Sequence, residues 1–75
     1  MAIVLERQTV KSAIMRSVGY SPDAKILEIE FHTGLVYQYS GVPSKIYEDL
    51  MHSGEPGKYF SEKVRPRFRT KQVSE

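Results

Sequence analysis

Cysteine is absent from the 75 residues. That absence excludes disulfide stapling, thiolate zinc sites and cysteine nucleophiles together. Nothing points to an oxidising compartment, so the cytoplasm is the expected location. Long apolar runs are missing too. None approaches the ~20 residues needed to cross a bilayer, and the apolar start Met1-Ala2-Ile3-Val4-Leu5 runs directly into Glu6 and Arg7, too early for a signal-peptide core. No membrane contact is expected. There is also no internal repeat, no low-complexity block and no Pro/Gly/Ser-rich linker, so the chain reads as one unit.

A chain of this length has room for a single core, because it buries only roughly 60% of the surface it exposes when unfolded. A deep cleft enclosing a substrate and a full catalytic set is not expected. Apolar residues make up 40% and charged residues 27% of the chain, close to an ordinary globular domain and far from the signature of disorder. The net charge of +2 hides an asymmetry. Residues 1–31 are balanced and residues 32–57 are acidic, with Lys45 against Glu48, Asp49 and Glu55. The C-terminal stretch sets Lys58, Lys63, Arg65, Arg67, Arg69 and Lys71 against Glu62 and Glu75, a net +4.

Hydrophobic periodicity orders the rest. Residues 1–9 read as a flexible lead-in or edge strand. Ala13 to Tyr20 alternates, with Ile14, Val18 and Tyr20 on one face and Ala13, Ser17 and Gly19 on the other. Ser21-Pro22-Asp23 turns the chain. Leu27, Ile29 and Phe31 alternate with Glu28 and Glu30, and Leu35, Tyr37 and Tyr39 with Val36 and Gln38. The loop between these strands follows from register. A two-residue turn at Thr33-Gly34 places Glu28 and Glu30 beside the tyrosines. A three-residue loop, His32-Thr33-Gly34, instead sets Phe31 opposite Leu35, Ile29 opposite Tyr37 and Leu27 opposite Tyr39, giving one apolar face and Gly34 at the left-handed position such loops favour.

Pro43 suits the start of a helix, and Ile46, Tyr47, Leu50 and Met51 follow at helical spacing until Ser53-Gly54. Phe60 and Val64 stand one helical turn apart in a second, short helix, with Pro66 biasing Arg65 away from helical conformation. The expected fold is α+β, a three-stranded antiparallel meander with two short helices on one face. Ile46, Leu50, Phe60 and Val64 are expected to cover the apolar strand face, in a domain of residues 10–68 with a basic tail at 69–75.

The ordered segments Val10-Lys11-Ser12-Ala13-Ile14, Val18-Gly19-Tyr20, Leu27-Glu28-Ile29-Glu30-Phe31, Gly34, Tyr37-Gln38-Tyr39, Val42-Pro43, Tyr47-Glu48-Asp49-Leu50 and Gly57-Lys58-Tyr59-Phe60 resemble the KTSC domain family. That family is named for its occurrence at the C-terminus of some lysyl-tRNA synthetases and also includes stand-alone small proteins. The resemblance covers about residues 10–68 and centres on the Tyr-Xaa-Tyr pair. It implies a structural role for Gly19, Tyr20, Gly34, Tyr37, Tyr39, Pro43, Gly57, Tyr59 and Phe60, and its synthetase context suggests RNA as a partner. The chain departs from the family at Gly54-Glu55-Pro56-Gly57, where a serine-containing turn is usual, so no role of that serine carries over.

The chemistry on offer is binding chemistry. Tyr37 and Tyr39 point to one face, as stacking platforms for bases do, but that face is expected beneath the helices, which favours core packing. His32 and His52 have no carboxylate or second histidine at ligand spacing, so no metal site is expected. Glu28 and Glu30 read as exposed carboxylates on the open sheet face, since acid/base work needs a cleft and none is implied. No serine has a histidine–acid partner set and there is no glycine-rich phosphate loop. No catalytic residue and no cofactor is expected, and the chain reads as a non-enzyme with a monomer as the default assembly. The basic residues Lys58, Lys63, Arg65, Arg67, Arg69 and Lys71, with Phe68 among them, are the candidate nucleic-acid contacts. The leading expectation is thus a small binding module that contacts RNA through this end. The alternative is a protein-interaction module acting through a strand edge or the polar sheet face.

Overall fold

The computed structural model describes residues 6–73, so positions 1–5 of the lead-in or edge strand expected over residues 1–9 lie outside the described residues. Strands β1 (Arg7–Thr9), β2 (Met15–Ser21), β3 (Ile26–Phe31), β4 (Val36–Ser40) and β5 (Arg69–Gln72) form one antiparallel sheet in chain order. Between β4 and β5 the chain forms α1 (Ser44–His52) and α2 (Pro56–Tyr59), which runs on into a π-helical turn, Phe60–Val64. The expectation of three strands is therefore too few. Both added strands are outer strands whose residues are all exposed. They carry no apolar alternation, because they pair through backbone groups and bury little side chain. Arg69–Gln72, expected in a tail beyond the domain, are paired with β4.

The hairpin register follows the sequence reading. Leu27 faces Tyr39 and Ile29 faces Tyr37, the Phe31 N–H donates to the Leu35 carbonyl, and the Gly34 N–H returns to Phe31. Gly34 has φ 92°, the left-handed conformation this loop requires. The expected apolar face is present, but Leu35 at its far end is 38% exposed, beyond the reach of the helices.

β2 corrects the strict alternation. The pairing slips between Met15 and Ser17, leaving Arg16 as the extra residue of a bulge. Val18 and Tyr20 keep their place opposite Ile29 and Leu27, but before the bulge the parity reverses. Met15 is fully buried in place of Ile14, which is 40% exposed. Alternation through the strand would have put the Arg16 guanidinium in the core, and the bulge ejects it.

The core lies between the sheet and the helices: Met15, Val18, Leu27, Ile29 and Tyr39 from the strands, Val42 from the connection, and Leu50, Phe60 and Val64 from the helical side. A second correction concerns Arg65. It remains helical at φ −54°, ψ −46°, despite Pro66, and its N–H donates to Phe60 five residues back at 3.0 Å. The widened turn closes before proline's missing N–H is needed.

On the opposite face a row runs through all five strands: Arg7, Gly19, Glu28, Gln38, Lys71. Glu28 is 5% exposed, not an open-face carboxylate. Arg7 spans the β2 position between them to reach Glu28 Oε2 at 2.6 Å, and Gln38 Nε2 donates to Glu28 Oε1 at 2.9 Å. Gly19 leaves that path free of a side chain. Beside the row, the Ser17 hydroxyl donates to Glu30 at 2.8 Å.

Candidate functional site

The covered face is not closed along its whole length. At one end Tyr20 stacks on Tyr47, centroids 4.8 Å apart and 10° from parallel. The Tyr20 hydroxyl donates to the Val42 carbonyl at 2.6 Å, sealing the core, and burial raises its pKa. At the other end Tyr37, Phe31, Phe60 and Tyr39 form a chain of edge-to-face contacts, with centroids 5.8, 5.6 and 5.4 Å apart in that order. These rings open into a cleft of about 510 Å³, completed by Ile14, Ser61, Arg65 and Thr70. The sequence implied no cleft. It arises because the bulge turns Ile14 outward while the π-helical turn carries Phe60 inward and Arg65 to the rim.

The two central tyrosines divide here. Tyr39 is 4% exposed and belongs to the core. Burial pushes its hydroxyl above the ordinary tyrosine value, against the opposing effects of the Thr70 hydrogen bond and the Arg65 charge. Tyr37 is only half-buried, in edge-to-face contact with Phe31 and lining the cleft. Core packing therefore describes Tyr39 fully and Tyr37 in part.

A second groove, of about 390 Å³, adjoins the first and shares Ile14 and Ser61 with it. Lys11, Ser12 and Lys58 line it, with Glu55 as the one acidic lining residue. Its shape depends on close approach: a Cβ at Gly57 would sit 3.0 Å from Ser12 Oγ and 3.3 Å from Ile14 Cγ1. The Ser12 hydroxyl accepts from the backbone N–H groups of Ile14 and Met15, each at 3.2 Å. Gly57 thus lets α2 lie directly on the chain entering β2.

The six basic residues expected at a nucleic-acid interface do not form one patch. Arg65 lines the aromatic cleft and Lys58 the second groove. Lys63 and Arg67 are exposed on and after the π-helical turn. Arg69 and Lys71 pair with Ser40 and Gln38, so their side chains lie on the opposite sheet face, in line with Glu28. Lys11 joins Lys58 instead, a pairing that no sequence spacing announces. The remaining family-motif residues sit in the frame: Pro43 precedes α1, Tyr59 hydrogen-bonds Asp49, and Phe60 is buried. Burial and the Asp49 carboxylate together raise the Tyr59 pKa. His32 Nε2 lies 2.9 Å from the Ser12 carbonyl and His52 Nδ1 2.8 Å from that of Glu48. Among the described residues no group of three or more potential ligands gathers at one point, and no helix is long and apolar enough to cross a membrane.

A five-stranded antiparallel meander, helices on one face and an aromatic cleft at one end, defines a small α+β domain. The chain belongs to the KTSC domain family, whose model matches residues 11–68. The crystal structure of a KTSC domain protein from Yersinia pestis superposes with a TM-score of 0.90 at 32% identity, covering 95% of this chain and all of that one. An uncharacterised protein of Stutzerimonas stutzeri is 34% identical over 62 residues, 83% of this chain and 87% of its own length. A lysine–tRNA ligase of Nostoc punctiforme is 30% identical over 64 residues, 85% of this chain but 11% of that protein.

Proposed function

We propose that this domain is a non-catalytic RNA-binding module, working in the cytoplasm, that contacts RNA through the basic side chains leading out of the aromatic cleft. The observation that carries the reading is the cleft itself: the partly exposed rings of Phe31 and Tyr37 open beside Arg65, with Arg67 exposed two residues further on. Rings stack bases and guanidinium groups hold phosphates. The lining supplies these groups together with the hydroxyls of Ser61 and Thr70, which suit recognition. The similarity to a segment of a lysine–tRNA ligase supports RNA over other polyanions.

The test is titration of a labelled RNA with the full chain between about 50 mM and about 200 mM salt. Binding through phosphates weakens steeply over that range. Replacing Arg65, Arg67 and Arg69 together by Gln lowers the salt slope by about one unit for each phosphate no longer neutralised, with folding unchanged. Absence of binding at the lower salt defeats the reading, and co-purification of a protein partner resistant to nuclease replaces it with the strand-edge alternative.

A further inference from the structure

Resting on that reading, we infer that the aromatic cleft and the lysine groove together hold one unpaired nucleotide of a single strand, its base among the rings and its flanking phosphates at Lys11/Lys58 and Arg65. The two hollows share a wall at Ile14 and Ser61, so a ligand that fills both bridges that wall. Their chemistry is complementary in the order a nucleotide requires. One side is apolar and aromatic, with the half-buried Tyr37 offering ring surface. The other presents two exposed ammonium groups, with the Ser12 hydroxyl engaged by backbone donors. Glu55 lies on the lysine side and is outnumbered there.

The cationic groups flank the cleft. Lys11 and Lys58 lie beyond the shared wall, and Arg65 is on the cleft rim, close enough for its charge to act on the Tyr39 hydroxyl. A base inside a duplex has both faces stacked and its pairing edge occupied, so it cannot enter such a cleft. The site therefore selects single strands, and the exposed Ile14 forms an apolar wall for the sugar and base edge.

The experiment compares the full chain binding a labelled single-stranded RNA and the duplex formed from the same strand. The single strand is expected to bind about tenfold tighter or more, the size of one stacked base. Lys11→Gln with Lys58→Gln is expected to weaken single-strand binding and lower the salt slope by about 0.7 unit, for the one phosphate the pair holds. Tyr37→Leu weakens it about tenfold with the slope retained. Both lysines are exposed, so the double variant folds and reports even where Tyr37→Leu proves unstable. Equal affinity for duplex and single strand overturns the inference. So does an unchanged affinity and slope in the lysine variant while Arg67→Gln with Arg69→Gln abolishes binding. That second result leaves the RNA reading standing, whereas no binding of either RNA removes both.

Discussion

Tyr37 and Tyr39 stand two residues apart on one strand and one face, yet their surroundings differ. Tyr39 is closed in by Phe60 and tied to Thr70, whereas Tyr37 packs edge-to-face with Phe31 and lines a cleft. The difference arises from the elements above them. The helical side covers Tyr39 with Phe60, and the outward turn of Ile14 leaves space over Tyr37. A repeated side chain in a motif thus meets two environments, one closed within the core and one facing the cleft.

The largest effect expected from breaking this pair is Tyr39→Ala, which empties a buried aromatic site and costs about 3–5 kcal/mol. Urea denaturation measures it, and an unchanged midpoint would show that Tyr39 is not core. Leu50→Ala, at the fully buried position of α1, sharpens the scale at about 2–5 kcal/mol. Tyr37→Ala should cost less, roughly 1–2 kcal/mol, and a loss equal to that of Tyr39→Ala would erase the distinction. Gln replacements at Arg67, Arg69 and Lys71 should move the midpoint within about ±0.5 kcal/mol, as exposed substitutions do.

The subtlest change isolates the Tyr39 hydroxyl. Its folded pKa lies above the ordinary value, so the folded state holds the proton more tightly than the unfolded one. The resulting stability is fully present below about pH 10, the unfolded tyrosine value, and falls as pH rises toward the folded pKa. Tyr39→Phe should lose about 0.5–1.5 kcal/mol at neutral pH with its hydrogen bond. It should then show a shallower alkaline decline than the parent, and denaturation midpoints at pH 8 to about pH 11 provide the comparison.

The sequence revealed the parts of the fold that bury alternating side chains. Leu27 to Phe31 and Leu35 to Tyr39 displayed both strand period and hairpin register, because only one loop length keeps the glutamates off the apolar face. It concealed what depends on backbone alone or on distant elements. Arg69 to Gln72 is all polar, so nothing in its pattern announces a strand. The bulge at Arg16 replaces Ile14 by Met15, although both fit a core. Arg65 stays helical because the preceding turn widens, which outweighs the bias of Pro66. Of the candidate site, the basic residues were named from charge alone, which does not tell which sheet face each takes, and the tyrosine pair was read as core, which holds fully for Tyr39 and in part for Tyr37. The cleft was not visible, since Ile14, Phe60 and Arg65 meet only when β2 and the π-helical turn pack together. The Lys11–Lys58 groove stayed hidden for the same reason.

β1 and β5 are the outer strands of the described sheet, and an outer strand is a template on which a sheet can grow. Here the templates are three and four residues long, polar throughout, and written as Arg-Gln-Thr and Arg-Thr-Lys-Gln. A second molecule adding edge to edge at β5 would bring Arg69 and Lys71 toward their own copies, with no apolar stripe to offset the repulsion. The positive charge of this strand thus disfavours edge-to-edge pairing of two copies at β5.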